Sequence, residues 1–175
     1  MYEGKMVRLR AHKREEMSLA KEYMNDYEVR KNIQPGRPYP YTLKDEYKRY
    51  EGISGMKDNY TFAIETLEGK YIGGCGVNDV DWKNSKVVVG IHIGDRCCWG
   101  KGKGTEAMRL LIDFVFNEMN INKINLRVYS FNKRAIRCYE KCGFIKEGVL
   151  REEIFRGGEY HDEIVMGILR RKYIK

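Results

Sequence analysis

The stretch Trp99-Gly100-Lys101-Gly102-Lys103-Gly104-Thr105 decides how this chain is read. It follows a strand-like run, Val87-Val88-Val89-Gly90-Ile91-His92-Ile93, and opens a helix-like run from Glu106 to Phe116. Three glycines let the backbone bend tightly and bring its N–H groups close to a ligand. The unpaired amides and positive dipole end of the following helix attract anionic oxygens. Lys101 and Lys103 add mobile positive charge beside that concavity. The arrangement predicts a pyrophosphate cradle, with a ligand-free glycine-rich surface loop as the plainer alternative.

Spacing narrows the ligand. A Walker loop needs Gly-Lys-Ser or Gly-Lys-Thr, and neither occurs, so nucleoside triphosphate hydrolysis is not expected. A dinucleotide fingerprint needs G-x-G-x-x-G directly after its strand. Here the order is G-x-G-x-G, several residues separate Ile93 from Gly100, and no acidic residue is placed for a ribose.

At 175 residues the chain is most simply one domain, 1–175, with enough length for a single core. Five cysteines, Cys75, Cys97, Cys98, Cys138 and Cys142, are an odd number without an export signal, so a reducing cytoplasm is the expected home and disulfides are not. Neither Cys97-Cys98 nor Cys138-x-x-x-Cys142 has zinc spacing, so no metal is expected. Nothing approaches the length of a membrane span. The excess of 33 Lys+Arg over 25 Asp+Glu suits an anionic partner, either a phosphorylated cofactor or nucleic acid. The basic residues are spread along the chain without a recognition motif, which makes nucleic acid the minor option.

Alternation in Met6 to Arg10 predicts an opening strand. Helical periodicity covers about Lys13 to Asn25 and Leu43 to Gly52, with a proline-bearing loop from Gln34 to Pro40 between them. Tyr60 to Glu65, Tyr71 to Val77 and Val87 to Ile93 predict an antiparallel meander, turning first at Glu68-Gly69. The helix after the glycine loop sets Ala107, Leu110, Leu111, Phe114 and Val115 on one face. Ile124 to Tyr129 reads as a strand, and Asn132 is suited to cap a helix that ends at Gly143. Val149 to Phe155 and Tyr160 to Leu169, around Gly157-Gly158, predict a terminal hairpin.

These residues resemble the GNAT superfamily of acetyl-CoA-dependent N-acetyltransferases. Within it they are similar to the branch of ribosomal-protein N-terminal acetyltransferases and bacterial spermidine/spermine acetyltransferases. The likeness is carried by Ile91-His92-Ile93-Gly94-Asp95, by Trp99 to Ala107, by Asn132-Lys133-Arg134-Ala135-Ile136 and by Tyr139-Glu140-Lys141-Cys142-Gly143-Phe144. Glu147 to Arg151 and Gly158 to Asp162 match the end of that branch. The resemblance implies an α+β fold: a mixed, mostly antiparallel sheet of about seven strands with about four helices, counted from the runs above, splayed at the cofactor site. It implies acetyl-CoA as cosubstrate, with the pyrophosphate on backbone N–H groups of Trp99, Gly100, Lys101, Gly102, Lys103, Gly104 and Thr105. The pantetheine arm would pair with the backbone around His92, Ile93 and Gly94, Asn132 would lie near the cofactor, and Tyr139 would protonate the departing thiolate. Trp99 stands where the family usually has Gln or Arg.

Acetyl transfer to an amine needs a neutral amine, oxyanion stabilisation and a proton for sulfur. Many relatives carry a glutamate base early in the strand before the loop, but the corresponding place lies within Val87-Val88-Val89. Val88, Gly90 and His92 share one strand face, so His92 either relays the amine proton or forms part of the cofactor wall. In this fold the acceptor pocket would be walled by Tyr39, Tyr41, Glu46, Phe155, Tyr160 and Asp162, which suits a small polycation or a protein N-terminus. His12 and His161 read as surface groups. A homodimer or higher homo-oligomer is admissible. The rival from another class is a non-catalytic coenzyme A or nucleic-acid binding module with a degraded site.

Overall fold

A computed structural model describes residues 2–33, 40–53, 58 and 60–173. Val7 and Leu9, fully buried, alternate with Arg8 and Arg10 to form β2 (Val7–Arg10). Before it, β1 (Tyr2–Glu3) folds back antiparallel, placing Tyr2 opposite Leu9 and Glu3 opposite Arg8. The intervening turn is held from outside. The Glu106 carboxylate accepts hydrogen bonds from the backbone N–H groups of Lys5, Met6 and Val7 at 2.9, 2.7 and 2.8 Å. A Cβ on Gly4 would lie 2.6 Å from that carboxyl carbon, so only glycine lets the anion in.

A short 3-10 turn (Arg14–Glu16) leads into α1 (Met17–Asn25). Asp26 ends it in extended conformation, and its carboxylate accepts the Glu28 N–H at 2.8 Å to start α2 (Tyr27–Arg30). After α3 (Leu43–Ile53) come β3 (Tyr60–Thr66), β4 (Tyr71–Asp81) and β5 (Lys86–Ile93), an antiparallel meander. Then follow α4 (Lys103–Asn117), β6 (Lys123–Tyr129), α5 (Lys133–Lys141) and the hairpin β7 (Ile145–Arg156) and β8 (Glu159–Leu169). Gly157 and Gly158, at φ of 62° and 88°, turn that hairpin as its right-handed twist requires. All eight strands form one sheet in the order β1-β2-β3-β4-β5-β6-β8-β7.

The crossover through α4 makes β5 and β6 parallel, and they pair only from Lys86 to Val88 against Lys123 to Asn125. β5 continues to Ile93 on β4, while β6 continues to Tyr129 on β8. The two strands therefore diverge at their C-terminal ends, and the sheet opens there. Beneath it α4 buries Ala107, Met108, Leu111, Ile112, Val115 and Phe116. Each such large side chain contributes about 1.5–3 kcal/mol.

The expected class, splay and order of elements hold, with two corrections of number and several of boundary. Among the described residues there are eight strands, because β1 depends on a carboxylate a hundred residues away, as the Met6–Glu106 separation of 100 shows. There are five α-helices among the described residues, because Asp26 restarts the chain as α2. Lys103, Gly104 and Thr105 belong to the first turn of α4, which begins before Glu106. The terminal hairpin begins at Ile145, since irregular register at Lys146/Gly148 and Leu150/Ile154 breaks the alternation that would have revealed it.

Candidate active site

The divergence of β5 from β6 opens a cavity of about 700 Å³. Its floor follows from the β-ladder. Gly94 N–H bonds to Ile72 O at 2.8 Å, and Gly74 is the partner of His92, so alternation directs the His92 and Gly94 amides toward β4. The backbone of Ile91 and Ile93 then faces the open side. There the Trp99 indole N–H donates to the Ile93 carbonyl at 2.7 Å, which ties the start of the glycine loop to the end of β5. The Arg134 guanidinium lies 3.5 Å over the same indole. The Trp99 side chain is thus committed to protein partners, and the loop offers a ligand its backbone.

Gly100 and Gly102 sit at φ of 72° and 81°, where a side chain is strained. Gly102 is the N-cap of α4, and its carbonyl takes the first helical bond, from Glu106 N–H at 3.0 Å. The amides of Lys103, Gly104 and Thr105 precede any helical acceptor and point along the dipole at the cavity end. This fits a diphosphate. The Lys103 ammonium lies 3.9 Å from Cys98 Sγ, Lys101 is exposed, and neither lines the cavity. Gly94 does not line it either, because the Tyr23 ring covers the position a Cβ would take. The other expected residues, His92, Ile93, Trp99, Gly100, Gly102, Gly104, Thr105, Asn132 and Tyr139, all line it.

α5 is docked so that its cavity face is fixed. Asn132 Oδ1 caps it by accepting the Ala135 N–H at 3.2 Å. At its other end the Thr105 hydroxyl donates to Cys138 Sγ at 3.4 Å, and the Thr105 carbonyl accepts from Cys142 Sγ at 3.6 Å. Tyr139 is 7 % exposed, edge-on to Phe144. Burial, reinforced by Cys138 and Cys142, pushes its phenol well above the ordinary value. It is protonated throughout the neutral range, and its hydroxyl makes no hydrogen bond among the described residues.

The opposite end of the cavity is built by residues the motifs did not reveal. His12, after β2, and His92, near the end of β5, approach each other across bare Gly74; a Cβ there would lie 3.1 Å from His92 Cε1 and 3.5 Å from His12 Cε1. Arg49 of α3 and Tyr71 of β4 join them in the wall. Burial, then Arg49, pushes both imidazoles down to about 4, so each is neutral at neutral pH. The expectation that His12 is a surface group is corrected: the sheet carries it inward. Of the expected acceptor wall, Tyr41 and Glu46 are not in the lining, and Phe155 and Tyr160 are exposed against each other on the terminal hairpin. Asp162 accepts from Glu152 N–H at 2.9 Å. Tyr39 lies outside the described residues. His161 lies edge-on to Phe131 and bonds to the Arg156 carbonyl. No local sequence motif marks Arg49 or Tyr71 as part of this end of the cavity.

Comparison with known proteins agrees with the geometry. Residues 6–145 match the acetyltransferase (GNAT) domain. The chain is 41% identical over 141 residues to a spermidine N(1)-acetyltransferase of Vibrio cholerae, covering 77% of this chain and 81% of that one. It is 30% identical over 169 residues to an uncharacterized N-acetyltransferase of Bacillus licheniformis, covering 94% and 93%. A crystal structure of the spermidine N-acetyltransferase from Vibrio cholerae with CoA and spermine superposes with TM-score 0.87 at 27% identity, covering 97% and 98%. No helix among the described residues is long and apolar enough to cross a membrane. None of these likenesses favours the binding-module alternative. The chain belongs to the GNAT family and is an N-acetyltransferase that uses acetyl-CoA.

Proposed function

We propose that this enzyme transfers acetyl directly from acetyl-CoA to a primary amine, with Tyr139 supplying the proton to the departing sulfur. The observation that carries the reading is one cavity joining three elements: the α4 amides, the open backbone of Ile93, and a neutral phenol with no hydrogen-bond partner among the described residues. Acetyl-CoA brings the activated acyl group. The residues of this chain do the rest. The first-turn amides of α4 and the glycine loop hold the diphosphate, with Arg134 beside them through its stack on Trp99. The Ile93 N–H is directed to the open side, where it can stabilise charge developing on the acyl oxygen. Tyr139 keeps its proton until the sulfur leaves.

His92 is assigned to the wall rather than to the proton path. A ring with pKa of about 4 cannot hold a proton taken from an alkylammonium near 10.4. The acceptor is either a small polycation of the spermidine kind or a protein N-terminus. The Vibrio cholerae relative supports the first, and a relative 26% identical over 136 residues, a putative ribosomal N-acetyltransferase of Bacillus subtilis, supports the second. The five free cysteines suit a reducing cytoplasm. A homodimer or higher homo-oligomer is part of this reading, and sedimentation equilibrium tests it. The reaction itself is tested by thiol release from acetyl-CoA across spermidine, short peptides with free N-termini and an aminoglycoside. Release with at least one, and an acetylated amine by mass spectrometry, is expected; no release with any amine, beside tight nucleic-acid binding, would overturn it.

A further inference from the structure

We infer that Arg49 makes the acceptor end of the cavity a filter for amine basicity: it admits weakly basic primary amines on neutral or anionic carriers and turns away polycations. This deepens the acetyl-transfer reading and rests on it.

The lining of the cavity contains Arg49, Arg127, Arg134, Arg137 and Lys141 and no Asp or Glu. The residues outside the described set contain no Asp or Glu either, so they bring no side-chain carboxylate. Carboxylates nearby are already matched with cations. Glu65 and Glu16 hold Arg10, Asp95 holds Lys70 at 2.5 Å, and Glu163 holds Arg127 at 3.2 Å. Arg134, Arg137 and Lys141 belong to α5 at the cofactor end, where a phosphorylated cosubstrate accounts for them. Arg49 stands apart, on α3, beside the two imidazoles and Tyr71.

Arg49 is paired, and the geometry of the pair decides its effect. Glu46 Oε2 accepts from Arg49 Nε at 2.9 Å and lies 2.8 Å from Nη2. Glu46 sits behind, 1% exposed and outside the lining, while Arg49 keeps 41% of its side chain accessible and forms the wall. The cavity therefore meets the cationic member of the pair first. The groups facing His12 and His92 from the surrounding elements are Arg10 of β2, Glu16 before α1, Arg49 of α3 and each other; at both rings Arg49 is the strongest charged influence, and it disfavours protonation. An ammonium placed among the same groups meets the same repulsion, and burial adds to it.

The chemistry then closes. The amine must arrive neutral, no carboxylate base lines the cavity, and both histidines are too weak to take the proton. An α-type amine with pKa near 8 is about a quarter neutral at pH 7.5, whereas an alkylamine near 10.4 is neutral in about one molecule in 800. A site that works by discouraging protonation gains from the first and cannot rescue the second. A second or third ammonium on the same acceptor would meet Arg49 with no carboxylate to receive it.

The test compares kcat/KM at pH 7.5 for three acceptors with saturating acetyl-CoA: a neutral tripeptide amide with a free N-terminus, its aspartate-containing analogue, and spermidine. The neutral fractions alone give both peptides an advantage of about 200-fold over spermidine; Arg49 is expected to raise it at least tenfold further, and the peptide pH profiles should rise with unit slope and level near the pKa of the peptide amine itself. The Glu46→Gln/Arg49→Gln double variant, which leaves no buried charge unpaired, should narrow the peptide-to-spermidine ratio at least tenfold. Spermidine turned over as well as the peptides by the wild-type enzyme would overturn the filter and leave acetyl transfer standing. Turnover of no amine at all would overturn the reading beneath it. A ratio unchanged in the double variant would remove Arg49 from the selection.

Discussion

Replacing Tyr139 with phenylalanine removes one oxygen from the wall of the cavity and nothing else. Because that hydroxyl makes no hydrogen bond among the described residues, its loss strands no buried partner, and the ring keeps its edge contact with Phe144. Stability should change by no more than about 0.5 kcal/mol, within the range of a substitution that breaks no special feature. Turnover is different. A positioned proton donor contributes typically 10²–10⁴-fold, which corresponds to about 3–5 kcal/mol of barrier at 1.36 kcal/mol per tenfold. The expected result is therefore a kcat lower by at least about 100-fold, with acetyl-CoA affinity by calorimetry and melting temperature both unchanged. The assay is thiol release at saturating amine, with full pH dependence. A Tyr139→Phe enzyme with wild-type kcat, or one whose entire loss is in coenzyme affinity, would refute the proton-donor role and return Tyr139 to the packing of α5.

Other perturbations test other parts of the account. Trp99→Phe loses the indole hydrogen bond to the Ile93 carbonyl and should raise the KM for acetyl-CoA several-fold while kcat falls less; an unchanged KM would detach the loop's anchoring from cofactor binding. Glu106→Gln replaces an anion that accepts three backbone N–H groups with an amide that accepts fewer, so β1 should come loose. A melting-temperature drop of several degrees is expected, from roughly 1–3 kcal/mol at 2–4 °C each, and no drop would deny that Glu106 holds the turn. The Arg10 hydrogen bond holds the Glu65 carboxyl below its usual range. That contribution is complete above the unfolded carboxyl pKa and is lost as pH falls through the lower folded value. Melting temperature should thus decline below about pH 4.5, the unperturbed glutamate value, and an Arg10→Met variant should decline less steeply over that window.

The legible parts of this protein are those whose signal is local. The glycine loop, the apolar stripe of α4 and the Asn132 cap each lie within one short, continuous segment of chain, and alternation over a few residues marks β2 through β6. What was not legible depends on residues far apart in sequence. β1 exists because Glu106 reaches back to Lys5, Met6 and Val7. The inward placement of His12 depends on the chain after β2 reaching past β3 to the bare Gly74 of β4, beside His92 of β5, a juxtaposition created by sheet order. By residue type the early helical region and the terminal hairpin both suit an acceptor wall, yet Tyr41 and Glu46 stand outside the lining and Phe155 and Tyr160 are exposed, while Arg49 and Tyr71 line the cavity. Composition identified the residue types suited to an amine site; only the packing of α3 over the sheet decides which of them the cavity meets.

The central claim is that the first turn of α4 grips a diphosphate so that the thioester lies beside Tyr139, and a crystal structure of the enzyme with coenzyme A tests it most directly. The account predicts diphosphate oxygens within hydrogen-bond distance of the amides from Gly102 to Thr105, and the sulfur within reach of the Tyr139 hydroxyl. A diphosphate bound elsewhere, or a sulfur turned away from Tyr139, would contradict it.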